Sequence, residues 1–262
     1  MAFDYASRAS KGARSYQEDA AEVRAGHDSG QGTAAAGQLG SPALTAVLAD
    51  GMGGHAGGAL ASSTACRMFL RAYETASGDV PARLNEALLV ANAAIADCVE
   101  GNPALNGMGC TLIGAEFGPA GLEWVSVGDS PLFLVRKGEI VLLNEDHSLA
   151  PEIDKLAAAG KLSWEAARAD PRRHYLRSAV TGGEIELVDR SRRPLALEAG
   201  DVVILASDGI QTLAQPAILR VAQERAGEGP DAIAEALLAA VDAAREAYQD
   251  NATVVVVRVS GA

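Results

Sequence analysis

Aromatic side chains make up only 4% of this 262-residue chain, so its core has to be filled mostly by Ala, Val and Leu. Cysteine is also sparse: Cys66, Cys98 and Cys110 form no CxxC pair and no zinc-type spacing. They read as reduced thiols packed as small hydrophobes, which fits a reducing compartment. No run approaches the about 18–20 uncharged apolar residues of a membrane span. The opening Met1-Ala2-Phe3-Asp4-Tyr5 lacks a basic region followed by an apolar one, so no export signal is read there. The expectation is a soluble, cytoplasmic protein. Positive charge is in deficit, with 22 Lys and Arg against 34 Asp and Glu, a net charge of −12. That balance argues against nucleic acid or an anionic membrane as partner. Internal repeats and linkers are absent too, so residues 1–262 are read as one domain.

What is present reads as strands in blocks, then helices, then strands. Residues 1–25 predict two short strands around a polar turn, and 26–41 a Gly- and Ser-rich surface loop. The apolar run Pro42 to Ala49 predicts a buried strand. Helices follow over about 58–76 and beyond Pro81, where Leu84, Leu88, Ala91, Ile95 and Val99 share one face. Short apolar runs broken by Gly turns over 109–143 predict an antiparallel meander. Residues 151–174 have a polar, helical character. Strands are expected at 185–189, 193–197 and 201–206, then a long helix over about 230–248. The run Val254-Val255-Val256-Val257 suits a closing strand buried on both faces. Such blocks imply an α+β layered domain with antiparallel sheets covered by helices, not a parallel βαβ sheet.

The acids fall in a pattern. Asp50, Asp129 and Asp208 each follow an apolar run, Asp250 precedes one, and each has Gly or Asn beside it. Glu18-Asp19 lie at a turn. A single Asp-Gly after a strand is ordinarily just a turn. Five such places together are harder to assign to chance, because strand-end carboxylates from distant segments can meet at one sheet edge. Carboxylates so gathered repel unless cations neutralise them, and an all-oxygen set favours Mg²⁺ or Mn²⁺ over zinc.

Seven motifs in order resemble the metal-dependent protein serine/threonine phosphatases of type 2C (PPM), in their bacterial form. They are Arg14-Ser15-Tyr16-Gln17-Glu18-Asp19, Ala49-Asp50-Gly51-Met52-Gly53-Gly54-His55, Gly109-Cys110-Thr111, Val127-Gly128-Asp129-Ser130, Asp146-His147-Ser148, Ala206-Ser207-Asp208-Gly209 and Asp250-Asn251-Ala252-Thr253. The resemblance implies a four-layer α-β-β-α sandwich, two antiparallel sheets flanked by helix pairs, with a binuclear metal site at one edge. It implies that Asp50 bridges two Mn²⁺ or Mg²⁺ ions, with the Gly51 carbonyl on one of them. Asp208 and Asp250 would serve the first ion, and Glu18 and Asp19 the second, partly through water. Asp129 with Asp208 would hold a third, weaker ion, and Arg14 would grip the substrate phosphate. The chemistry implied is a metal-activated water attacking phosphoserine or phosphothreonine on proteins, in opposition to a bacterial Ser/Thr kinase, by a monomer. A non-catalytic phosphoprotein-binding module is the alternative.

His55 is the one histidine read inside the metal-site motifs, either a proton donor or a residue that only packs the Gly-rich loop. Residues 147–175 resemble the family's flap, where Pro171-Arg172-Arg173 either steers acidic substrates or is a solvated face. The chain departs from the pattern at Gln17, at Pro131 where the GDSR motif ends in Arg, and at Arg177, displaced by one position. No Cys-x5-Arg loop surrounds any cysteine, so a thiol nucleophile is not expected.

Overall fold

The computed structural model describes residues 1–26, 43–54 and 56–261. In chain order the strands are β1 (Ala2–Ser10), β2 (Ala20–Ala25), β3 (Leu44–Ala49), β4 (Gly51–Met52), β5 (Gly109–Cys110), β6 (Leu112–Gly118), β7 (Gly121–Val127), β8 (Leu132–Arg136), β9 (Glu139–Leu142), β10 (Asp189–Arg190), β11 (Val202–Ala206) and β12 (Ala252–Ser260). The helices are α1 (Ala56–Thr75), α2 (Val80–Gly101), α3 (Ala150–Ala158), α4 (Trp164–Ala169), α5 (Gln215–Arg225) and α6 (Pro230–Ala244). One antiparallel sheet runs β1-β12-β11-β8-β9, the other β10-β7-β6-β3-β2, and β4-β5 form a small ribbon.

Alternation along the strands builds the layers. In β12, Val255, Val257 and Val259 face the other sheet, while Val254 and Val256 face α5 and α6. In β3, Leu44, Ala46 and Leu48 enter the space between the sheets, while Val47 and Ala49 pack under α1 and α2. Successive side chains of a strand point to opposite faces, so a run buried on both reads as continuously apolar. That is why the Val254–Val257 run is a central strand, flanked by β1 and β11. The helix pairs α1/α2 and α5/α6 cover the two outer faces, giving the four expected layers.

Three local expectations change. The 109–143 meander is split: β6 and β7 pair in one sheet, while β8 and β9 form a hairpin in the other. Gly128 to Pro131 is therefore a crossing between sheets, not one more hairpin turn. The segment 185–197 forms only the two-residue β10 and a bridge between Leu122 and Leu195, because it lies along a sheet edge. Helix α5, not foreseen, buries Ile218, Val221 and Ala222. The loop expected at 26–41 lies, from 27 on, outside the described residues. Among the described residues no helix is long and apolar enough to cross a membrane.

Candidate active site

The strand ends place the acids. Asp50 follows β3, Asp208 lies two residues beyond β11, and Asp129 two residues beyond β7. Asp19 precedes β2 and Asp250 lies two residues before β12. Register then brings these positions together: Ala20 pairs with Ala49, so Asp19 sits beside Asp50. Ala206 pairs with Val254 on the facing sheet, which sets Asp208 near Asp250. Arg14, Glu18, Asp50, Gly51, Asp129, Asp208 and Asp250 consequently line one cleft of about 860 Å³. An adjoining hollow of about 770 Å³ shares Arg14, Asp129, Asp208 and Asp250 with it. Asp19 lies behind that wall, and His55 falls outside the described residues.

A set of hydroxyls and amides fixes these acids. The Ser207 and Thr253 hydroxyls, both from the β11–β12 side, each donate to Asp19 Oδ2 at 2.7 Å. Asp19, next to β2, thus ties the two sheets together at this edge. Asn251 Oδ1 accepts from the Glu18 backbone N–H at 2.7 Å, and its Nδ2 donates to the carbonyls of Lys11 and Tyr16 at 2.9 Å each. Thr111 Oγ1 accepts from the Asp50 backbone N–H at 3.0 Å and lies 2.7 Å from Ser130 Oγ. Buried Asn144 accepts from the Leu132 N–H and donates to the Ser130 carbonyl, bracing the turn that carries Asp129. Gly128, at φ +100°, lets that turn run over Thr111, whose Cγ2 a Cβ there would meet at 2.6 Å. Gly51 permits a second close approach, since a Cβ would lie 2.4 Å from the Glu18 carbonyl oxygen and 2.3 Å from that of Gly58.

The electrostatics are those of too much negative charge in too little water. Burial first, then Asp19, Asp208, Asp129 and Asp250, raises the Asp50 carboxyl well above the usual range. Burial and then Asp250 raise Asp208, which stands within hydrogen-bonding reach of Asp50. Burial and then Asp208 lift Asp129 to about 7. Burial lifts Asp19 to about 6, against the lowering by its two hydroxyl partners. Arg14 pairs directly with Asp250 at 2.5 Å and also lowers the Asp208 carboxyl, the smallest of the influences on that group.

This donor set fits divalent cations. Glu18 Oε1 and Asp19 Oδ1 are buried oxygens with no hydrogen-bond donor, a costly state for a carboxylate that a cation would relieve. Among the described residues no three His, Cys, Asp or Glu side chains are close enough to hold an ion by themselves. An open site of this kind suits Mg²⁺ or Mn²⁺, which take one or two carboxylates and keep several waters, better than a closed zinc cage.

The flap is a closed excursion: Ser148 pairs with Leu176, and the Arg177 N–H donates to the His147 carbonyl at 2.8 Å. Within it Arg173 pairs with Asp154 and Arg172 with Asp170, so both arginines are already matched by flap acids. His174, at the end of its last turn, lines the cleft and lowers the Asp208 carboxyl, a position no motif announced. Ser207, Asn251 and Thr253 lay inside recognised motifs, but their bonding could not be assigned without the cross-sheet geometry.

The sequence profile described as Protein phosphatase 2C matches residues 29–226. The serine/threonine protein phosphatase PstP of Mycobacterium tuberculosis is 37% identical over 167 residues, 63% of this chain and 31% of that protein. The match thus spans less than a third of the length of that relative. The serine/threonine phosphatase stp of Listeria monocytogenes is 32% identical over 173 residues, 64% of this chain and 66% of that protein. The crystal structure of PstP superposes with a TM-score of 0.78 at 31% identity and covers 100% of both chains. The PstP catalytic domain solved with two manganese ions gives 0.76 at 31% identity, over 99% of each chain. Fold, motif order and profile agree, and this chain belongs to the protein phosphatase 2C family.

Proposed function

We propose that this chain is a metal-dependent phosphatase of phosphoserine and phosphothreonine on proteins, acting as a cytoplasmic monomer against a bacterial Ser/Thr kinase. The observation that carries the reading is the gathering of Glu18, Asp50, Asp129, Asp208 and Asp250, from five segments, around one cleft that also presents Arg14. Asp50, Asp208 and Asp250 would serve one ion, and Asp50, the Gly51 carbonyl, Glu18 and Asp19 a second, each partly through bound water, since no three of these side chains stand close enough to hold an ion by themselves. Asp129 with Asp208 would take a third. Such ions supply an activated water and neutralise charge on the phosphoryl oxygens. The protein's own part is positioning. Arg14 offers a planar fork that matches two phosphate oxygens once it leaves Asp250. Asn251 and Thr111 keep Glu18 and Asp50 in place while that exchange happens. His174 and the flap neck line the same cleft and would border the bound substrate.

The relatives' names point to the same substrate class, and nothing in the site favours a non-catalytic module, because none of the carboxylates is lost. With Mn²⁺ the purified protein should dephosphorylate a phosphothreonine peptide and fall silent in EDTA. Asp208→Asn should lower kcat by at least about 100-fold. Undiminished hydrolysis in EDTA and in Asp208→Asn would overturn the metal mechanism.

A further inference from the structure

Beside the acid cleft lies a separate hollow of about 270 Å³, walled by Pro131, Phe133, Leu142, Leu213, Ala214 and Ile218. Its floor is rigid: Phe133 and Ile218 belong to the core between the β12 sheet and α5/α6. Its rim is open to solvent, with Leu142 39% exposed. The hollow shares Asp129, Asp146 and Gln211 with the catalytic side, so the two adjoin. Its volume falls just below the about 300–1,000 Å³ of cofactor and drug sites, which matches one large side chain rather than a second cofactor. Among the described residues its lining has Asp129, Glu145 and Asp146 and no Lys, Arg or His. Even with Asp129 engaged by an ion, Glu145 and Asp146 disfavour an acidic or second phosphorylated residue there, while an apolar one finds complementary walls.

Resting on the phosphatase reading above, we infer that this hollow is a specificity pocket taking an apolar side chain (Leu, Ile, Met or Phe) that flanks the phosphorylated residue of the substrate protein. Pro131 contributes to it by placing a ring, and no charge, where the chain crosses between the sheets. The occupant comes from the same segment that enters the cleft, because Asp129, Asp146 and Gln211 line both hollows and so make them neighbours.

The test is a phosphothreonine peptide series in a Gly/Ser background, with Leu, Asp or phosphothreonine moved singly through the flanking positions. At one flanking position the Leu peptide should exceed the Gly peptide in kcat/KM by about 10-fold or more. Ala214→Phe, which fills the pocket, should bring that ratio near one, and so should Leu142→Ser, a milder change at the exposed rim. A ratio near one in the unaltered protein, a preference for the acidic peptides, or a Leu preference that survives both variants would each overturn the pocket. Anisotropy with the same peptides carrying a non-hydrolysable phosphonate reads the pocket whether or not phosphate is cleaved. Hydrolysis of p-nitrophenyl phosphate with Mn²⁺ reports separately on the phosphatase reading.

Discussion

At the scale of single residues, the acids that would hold metal are less informative than the neutral groups that hold the acids. Asn251 is 3% exposed and spans three backbone groups of the N-terminal loop carrying Arg14 and Glu18. Asn251→Ala should destabilise by about 1–3 kcal/mol in urea unfolding, the cost of leaving buried partners unmade. It should also raise KM for phosphopeptide more than it lowers kcat, because it loosens the loop of Arg14, the arginine proposed to bind phosphate. An unchanged KM would mean that the loop keeps its place without the amide. Asp50, Asp129, Asp208 and Asp250 were legible in sequence because each adjoins an apolar run, and Glu18 and Asp19 through the family motif. The bracing of Asp19 by Ser207 and Thr253, and of Glu18 by Asn251, was not, because those partners lie more than 180 residues away and become visible only when two sheets are stacked.

At the scale of elements, stability is uneven. The flap helices α3 and α4 share a core of only Ile153, Ala157 and Ala167, with Leu149 and Leu162 at its margin. Strand β12 is buried on both faces and bonded on both sides. Amides of 150–174 should therefore exchange with deuterium about 100-fold or more faster than those of Val254–Val257. Arg173→Ala, which removes the pair with Asp154, should speed flap exchange by a further factor of about five. Equal protection in flap and strand would contradict this division. The elements that sequence missed or drew too long are those with weak periodicity. Helix α5 buries just three residues in its eleven, and β10 is an edge strand two residues long. The split of the 109–143 meander left no local trace at all, since a Gly-rich crossing and a Gly-rich hairpin turn look alike before the sheets are assembled.

At the scale of the whole molecule, the charge of −12 is partly concentrated at one edge of the sandwich. Asp19 at about 6 and Asp129 at about 7 lie above the ordinary carboxylate value of about 3.9. The folded, metal-free chain therefore binds more protons than the unfolded one between these limits. Its stability from these groups is present below about pH 4 and is lost as pH rises through 6 and 7. Buried His147 is shifted downward by desolvation and has the opposite slope, so the useful quantity is the difference in Tm between Mn²⁺-loaded and chelated protein. That difference should widen from pH 5 to pH 8 and reach about 5–10 °C at saturating metal. A difference that stays flat or shrinks with pH would refute the account.

The threading of β12 between β1 and β11 also sets a timetable. Residues 250–260 supply Asp250, Asn251, Thr253 and the strand that joins the N-terminal strand to the rest of its sheet. A chain still on the ribosome, with those residues inside the exit tunnel, has neither a closed sheet nor a complete ring of acids. On the phosphatase reading, competence would thus arrive only once residues 250–260 have left the tunnel, in one step with the closing of the sandwich, and no shorter nascent fragment could strip phosphate from proteins around it.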